Sequence, residues 1–85
     1  SQVSLFCYDN GTFIVESFLP DPVTVKIIAE KSVNTLEDLL SKEILKGTDI
    51  PLPPFRTRQA VATRSFEITV KPHSYRVFRI MPEDK

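Results

Sequence analysis

The most constraining stretch of the chain is Phe66 to Ile80, where two strand patterns meet at one proline. Phe66, Ile68 and Val70 alternate with Glu67, Thr69 and Lys71, the period of two that gives a strand one buried and one wet face. Pro72 has no N–H to give to a ladder, so the first strand stops there and His73 and Ser74 form the turn. From Tyr75 the rhythm changes: Tyr75 and Val77 point one way, Phe78 and Ile80 the other. Apolar groups on both faces predict a strand covered twice, once by the domain's own core and once by a neighbour outside these residues.

Earlier segments repeat the strand signal. Val3 to Tyr8 is a short apolar run, and Thr12 to Phe18 resumes after Asp9-Asn10-Gly11. This predicts a β-hairpin with Asn10-Gly11 at the centre of a type I′ turn, which needs positive φ at both positions. Asn10-Gly11-Thr12 also spells an N-glycosylation acceptor, but the turn explains the residues without it. Leu19-Pro20-Asp21-Pro22 breaks the ladder. Val23, Val25 and Ile27 then alternate with Thr24 and Lys26 as a further strand, and Ala29 to Asn34 reads as a polar turn.

Thr35 to Leu45 supports two structures. Leu36, Leu39, Leu40 and Ile44 fall at helical spacing behind a Thr35 cap, so periodicity favours a helix. The alternative is a short strand at Leu36, a tight turn at Leu40 to Lys42 and a second strand at Ile44. Gly47 to Arg64, with Pro51, Pro53 and Pro54, reads as a long irregular loop, with an additional edge strand at Gln59 to Thr63. Arg56, Arg58 and Arg64 lie in it. They read as a solvated face paired with nearby acids, with Arg56 and Arg58 as a candidate contact surface.

Composition narrows the functions. Eighty-five residues form one domain, which buries only about 60 to 65% of the surface its unfolded chain would expose. The formal net charge is zero, which gives no footprint for nucleic acid or an anionic membrane surface. No apolar run approaches the roughly 20 residues of a membrane-spanning helix. Cys7 is the single cysteine and reads as a small buried hydrophobe. His73 stands alone without ligand-spaced partners, and no phosphate-cradling glycine loop or nucleophile elbow occurs. Asp38 and Glu43 could be imagined as a glycosidase acid pair, but a domain this small rarely offers the deep cleft that chemistry requires. There is no tryptophan to stack on a sugar, and Tyr8 and Tyr75 lie in strand patterns that predict core or interface burial. No catalytic, cofactor-binding or metal-binding residue is assigned.

Two segments carry a resemblance. Leu36-Glu37-Asp38-Leu39-Leu40-Ser41-Lys42-Glu43-Ile44-Leu45 is similar to the aspartate, leucine, leucine, threonine, glycine, glutamate hairpin of the C-terminal β-sandwich that follows the catalytic barrel in many glycoside hydrolases, amylase-like and α-galactosidase-like enzymes among them. Phe66 to Ile80 is similar to the closing strand, turn and strand of that domain, and Asp9-Asn10-Gly11-Thr12-Phe13 fits its early hairpin. Ser41-Lys42 stands where the family has threonine and glycine, so the turn lacks the residue that most easily takes positive φ.

The resemblance implies an all-β fold, a small, Greek-key-like antiparallel β-sandwich of about six to eight short strands. It implies that residues 1–85 are an accessory domain of a larger enzyme, in keeping with a first residue that is serine. The acid and nucleophile would lie in the barrel, leaving this domain non-catalytic and cofactor-free, with the barrel of its own chain as partner. Tyr75, Val77, Phe78 and Ile80 are the candidate domain interface. The alternative is an autonomous carbohydrate- or protein-binding module using the 51–64 loop. The compartment stays open; a polysaccharide-degrading parent would favour an extracytoplasmic one.

Overall fold

The computed structural model describes residues 3–8, 10–51 and 62–82. Eight strands run β1 (Val3–Cys7), β2 (Thr12–Ser17), β3 (Val23–Glu30), β4 (Val33–Asp38), β5 (Ile44–Lys46), β6 (Thr48–Ile50), β7 (Thr63–Val70) and β8 (Ser74–Pro82). They form two antiparallel sheets, ordered β1-β2-β8-β4-β5 and β3-β7-β6. The expected all-β fold is the one the chain adopts.

The alternation in the sequence decides what the sheets share. Val25 lies opposite Ile68 and Ile27 opposite Phe66 in the smaller sheet, while Phe13 lies opposite Phe78, and Leu36 opposite Leu45 and Ile80, in the larger. Directly opposed residues point to the same side. Phe13, Val15, Leu36 and Phe78 from one sheet therefore meet Phe66, Ile68 and Val70 from the other in a single buried core. Phe13 and Phe78 stack with ring centroids 5.4 Å apart.

The chain passes between sheets from β2 to β3, β3 to β4, β5 to β6 and β7 to β8. At the last of these, Pro72 and His73 make the corner, with His73 in the left-handed region at φ 48°. The His73 N–H donates to the Leu19 carbonyl at 3.2 Å, tying the corner to the Pro20–Pro22 breaker. At the β5 to β6 crossing sits Gly47. A Cβ there would meet Arg64 Cδ at 2.7 Å and the Phe66 ring at 2.9 Å, so the chain crosses where only a hydrogen fits.

Several expectations need correction. Of the two structures left open for Thr35 to Leu45, the chain adopts the hairpin and not the helix that periodicity favoured: β4 and β5 pair through Leu36 and Leu45. Leu36 is 1% exposed whereas Leu40, which a helix would put on the same face, is 67% exposed at the turn. Long-range pairing with β8 outranks the local period. Gly11 takes the positive φ expected of it, 78°, but the ladder closes on Tyr8 and Thr12 after Cys7 and Phe13, so three residues rather than the two of a type I′ turn separate the paired ends. The Tyr8 N–H donates to the Thr12 carbonyl across the connection at 2.9 Å, and the Thr12 N–H donates to Asn10 Oδ1 at 3.2 Å. The polar turn after β3 shrinks to Lys31 and Ser32, because β3 runs to Glu30 and β4 starts at Val33. The stretch read as a loop from Gly47 begins with β6, which pairs with β7 from Thr48↔Ser65 to Ile50↔Thr63. Of the edge strand expected at 59–63, Thr63 belongs to β7 and residues 59–61 lie outside the described residues.

Candidate functional site

Arg76 organises the most polar part of the fold. It lies in β8 on the inward side with Phe78, opposite Val15, where a guanidinium needs acids within reach. Arg76 Nε donates to Asp38 Oδ2 at 3.0 Å, Nη2 to Glu43 Oε1 at 2.6 Å and Nη1 to the Thr69 carbonyl at 3.1 Å. Its guanidinium carbon lies 4.9 Å from the centroid of Phe78, within cation–π range. One side chain thus joins the β4–β5 turn, β7 and β8.

Asp38 is committed on both oxygens. Oδ1 accepts the Leu40 and Ser41 N–H groups at 2.8 and 2.9 Å, which closes the turn from within and lets Lys42 adopt φ 70° where the resembling motif has glycine. Burial pushes the Asp38 carboxyl up, but the Ser41 and Leu40 amides and Arg76 together outweigh it, and its pKa is held below the ordinary carboxylate value. A general acid at neutral pH needs the opposite shift. Asp38 is therefore an anchor, and Glu43 serves with it as a ligand of Arg76. The two carboxylates border an open cleft of about 340 Å³, shared with Leu40, Lys71 and Tyr75.

A second ion pair lies within the smaller sheet, where Asp49 of β6 faces Arg64 of β7, and its arginine reaches across to the larger sheet. Arg64 Nε donates to Asp49 Oδ1 at 2.7 Å and Nη1 to the Val33 carbonyl at 2.9 Å, next to an irregularity in the β4–β8 register. Lys31 Nζ adds a contact to Asp49 at 3.7 Å. The hydrogen bond from Arg64 is the largest influence on Asp49, and together with the charges of Arg64 and Lys31 it outweighs the opposing effect of burial and holds the pKa below the usual range. Arg64 does pair with an acid, but as a largely buried strap rather than part of a solvated loop.

The four candidate interface residues separate. Tyr75 and Val77 lie on the outward side of the larger sheet. There Phe6, Ile14 and Val77 form a cross-strand row, with Tyr75 opposite Glu16 and Ile44 opposite Glu37. Tyr75 is 51% exposed and Phe6 49%. Arg79 and Glu37 pair on this side at 2.7 Å. Phe78 is 0% exposed and belongs to the core, so it has no surface to offer a neighbour. Ile80 shares its inward side and borders an open apolar groove with Leu5, Cys7 and Ile28. Tyr8 and Cys7, both expected to be buried, are exposed in and beside β1, because β1 is an outer strand of the wider sheet. Arg56 and Arg58 lie outside the described residues.

The two polar networks were not anticipated, although a signal existed. Arg64 falls in the inward parity of β7 with Phe66, Ile68 and Val70, and Arg76 in that of β8 with Phe78 and Ile80, and an inward arginine implies an acid partner. Among the described residues no three His, Cys, Asp or Glu side chains converge as a metal site.

No curated protein and no solved structure matches the chain. A family model described as "Probable glycosyl hydrolase, C-terminal domain" matches residues 1–80. With the 38–43 turn and the two-sheet fold in place, the chain belongs to that family of glycosyl hydrolase C-terminal domains.

Proposed function

We propose that the domain is non-catalytic and packs against the catalytic barrel of its parent glycoside hydrolase, stabilising it. The observation that carries this is the outward side of the five-stranded sheet. A central strand flanked on both sides by others presents Val77 in a cross-strand row with Ile14 and Phe6, and Tyr75 beside Val77 along the same strand, on a side that its own core does not use. Surfaces of this kind mark interaction sites. Asp38, held ionised and fully bonded, supports an anchoring role for the carboxylates rather than proton transfer.

The test is a pair of outward charges, Tyr75→Asp and Val77→Asp, in the full-length enzyme. Docking predicts a lower midpoint of thermal inactivation with little loss of turnover per folded molecule, because an uncompensated charge is placed in the contact. An unchanged midpoint contradicts docking through this side and favours the alternative, an autonomous carbohydrate- or protein-binding module.

A further inference from the structure

The outer strands of the two sheets are β1 and β5 in one and β3 and β6 in the other. Proteins keep such edges from pairing with other chains by making them short, charged or proline-bearing. β5 and β6 are three residues each and carry Lys46 and Asp49, and β3 carries Lys26 and Glu30. β1, Val3-Ser4-Leu5-Phe6-Cys7, has none of these devices.

Its backbone direction is fixed by the first hairpin. The Tyr8 N–H donates to the Thr12 carbonyl, which makes Tyr8–Thr12 a hydrogen-bonded pair. By alternation Phe6–Ile14 is another, and the N–H and C=O groups of Leu5 and Cys7 point away from β2. Among the described residues no strand pairs with β1 on that side. The side chains there are open as well: Leu5 is 52% exposed, and Phe6 and Cys7 are exposed. Beside them lies an apolar groove of about 220 Å³ between β1 and β3, lined by Leu5, Cys7, Ile27, Ile28 and Ile80 among others.

We propose that β1 is a homodimerisation edge, on which two copies of this chain pair antiparallel about a two-fold axis through Phe6. This register sets Leu5 opposite the partner's Cys7 on both sides of the axis, and each such pair exchanges two backbone hydrogen bonds. It sets Phe6 opposite the partner's Phe6 in the non-hydrogen-bonded position, where side chains approach most closely. A two-fold contact must be self-complementary. A second copy is favoured as occupant because the neutral β1 meets its own sequence without opposing like charges, and because the partner's Leu5 and Cys7 extend the apolar wall of the groove. The pairing goes beyond docking to a barrel and fails separately from it, since its test contains no barrel.

The test is sedimentation of the 85-residue chain over a concentration series, beside Phe6→Lys and the double variant Phe6→Cys, Cys7→Ser. The expected results are a concentration-dependent dimer for the unaltered chain and, for Phe6→Lys, a monomer whose unfolding midpoint does not vary with concentration and equals that of the unaltered chain at the dilution where it is monomeric. Mild oxidation of the double variant should give a disulfide-linked dimer, because opposed non-hydrogen-bonded residues fall within disulfide reach. A chain that stays monomeric throughout, a Phe6→Lys variant that still dimerises, or a double variant that does not cross-link overturns the pairing.

Discussion

Arg76 and Arg64 are the two side chains on which the sheets hang together, and each is held by an acid of different exposure. The Asp38 partner of Arg76 is buried, whereas the Asp49 partner of Arg64 is half in solvent. Loss of the buried partner should matter more. Asp38→Asn keeps an oxygen for the turn amides but removes the charge facing Arg76, and should cost about 1–3 kcal/mol at neutral pH, read as a denaturant midpoint. The native pKa of Asp38 lies below the unfolded value of about 3.9, so the unfolded chain binds this proton first as pH falls. The stabilisation is complete well above that value and is lost as pH drops through it towards the native pKa. A stability profile of Asp38→Asn should accordingly be flatter than wild type on its acid limb; parallel limbs would show that the carboxylate carries no such linkage. Gly47 belongs to the same scale. Gly47→Ala sets a methyl against the Arg64 stem, which Asp49 and the Val33 carbonyl hold in place, and should cost about 1–3 kcal/mol by overpacking. Equal midpoints for Gly47→Ala and wild type would mean that Arg64 swings aside freely.

At the scale of elements, the β4–β5 hairpin is where local pattern and fold disagree, and two alanine substitutions separate them. Leu36→Ala opens a space in the core and should cost about 2–5 kcal/mol, while Leu40→Ala at the exposed turn should stay within about 0.5 kcal/mol. A helix with both leucines on one side would make the two losses comparable. β3 and β7 were legible because Val23 to Ile27 and Phe66 to Lys71 alternate apolar with polar residues, and β2 and β8 because apolar, β-favouring runs follow the turn residues Asn10-Gly11 and Pro72-His73. β5 and β6 are too short to show any period, so Ile44 borrowed a helical spacing from Leu40 that has no structural meaning. The turn at 38–43 was legible only through its likeness to a known hairpin, since what stabilises it is Asp38 bonding to the backbone of Leu40 and Ser41. Parity alone separated Tyr75 and Val77 from Phe78 and Ile80, and the fold turns the first pair outward. The parity that made Phe78 an interface candidate placed it on the inward side instead, because the rhythm shows that two sides are apolar without showing which of them the second sheet covers.

For the whole molecule, a three-stranded sheet covers the middle of a five-stranded one, and among the described residues the core leaves two apolar regions open: the outward row through Ile14 and Val77, and the flank at β1. A domain of this size has little burial to spare, and the outward row is what the docking proposal fills with the parent barrel. Oxidative footprinting of Tyr75 reads that side chain's access to solvent directly, in the 85-residue chain and in the full-length enzyme. Docking predicts strong labelling of Tyr75 in the former and protection in the latter, with the core residue Phe78 protected in both; equal labelling of Tyr75 in the two would contradict it.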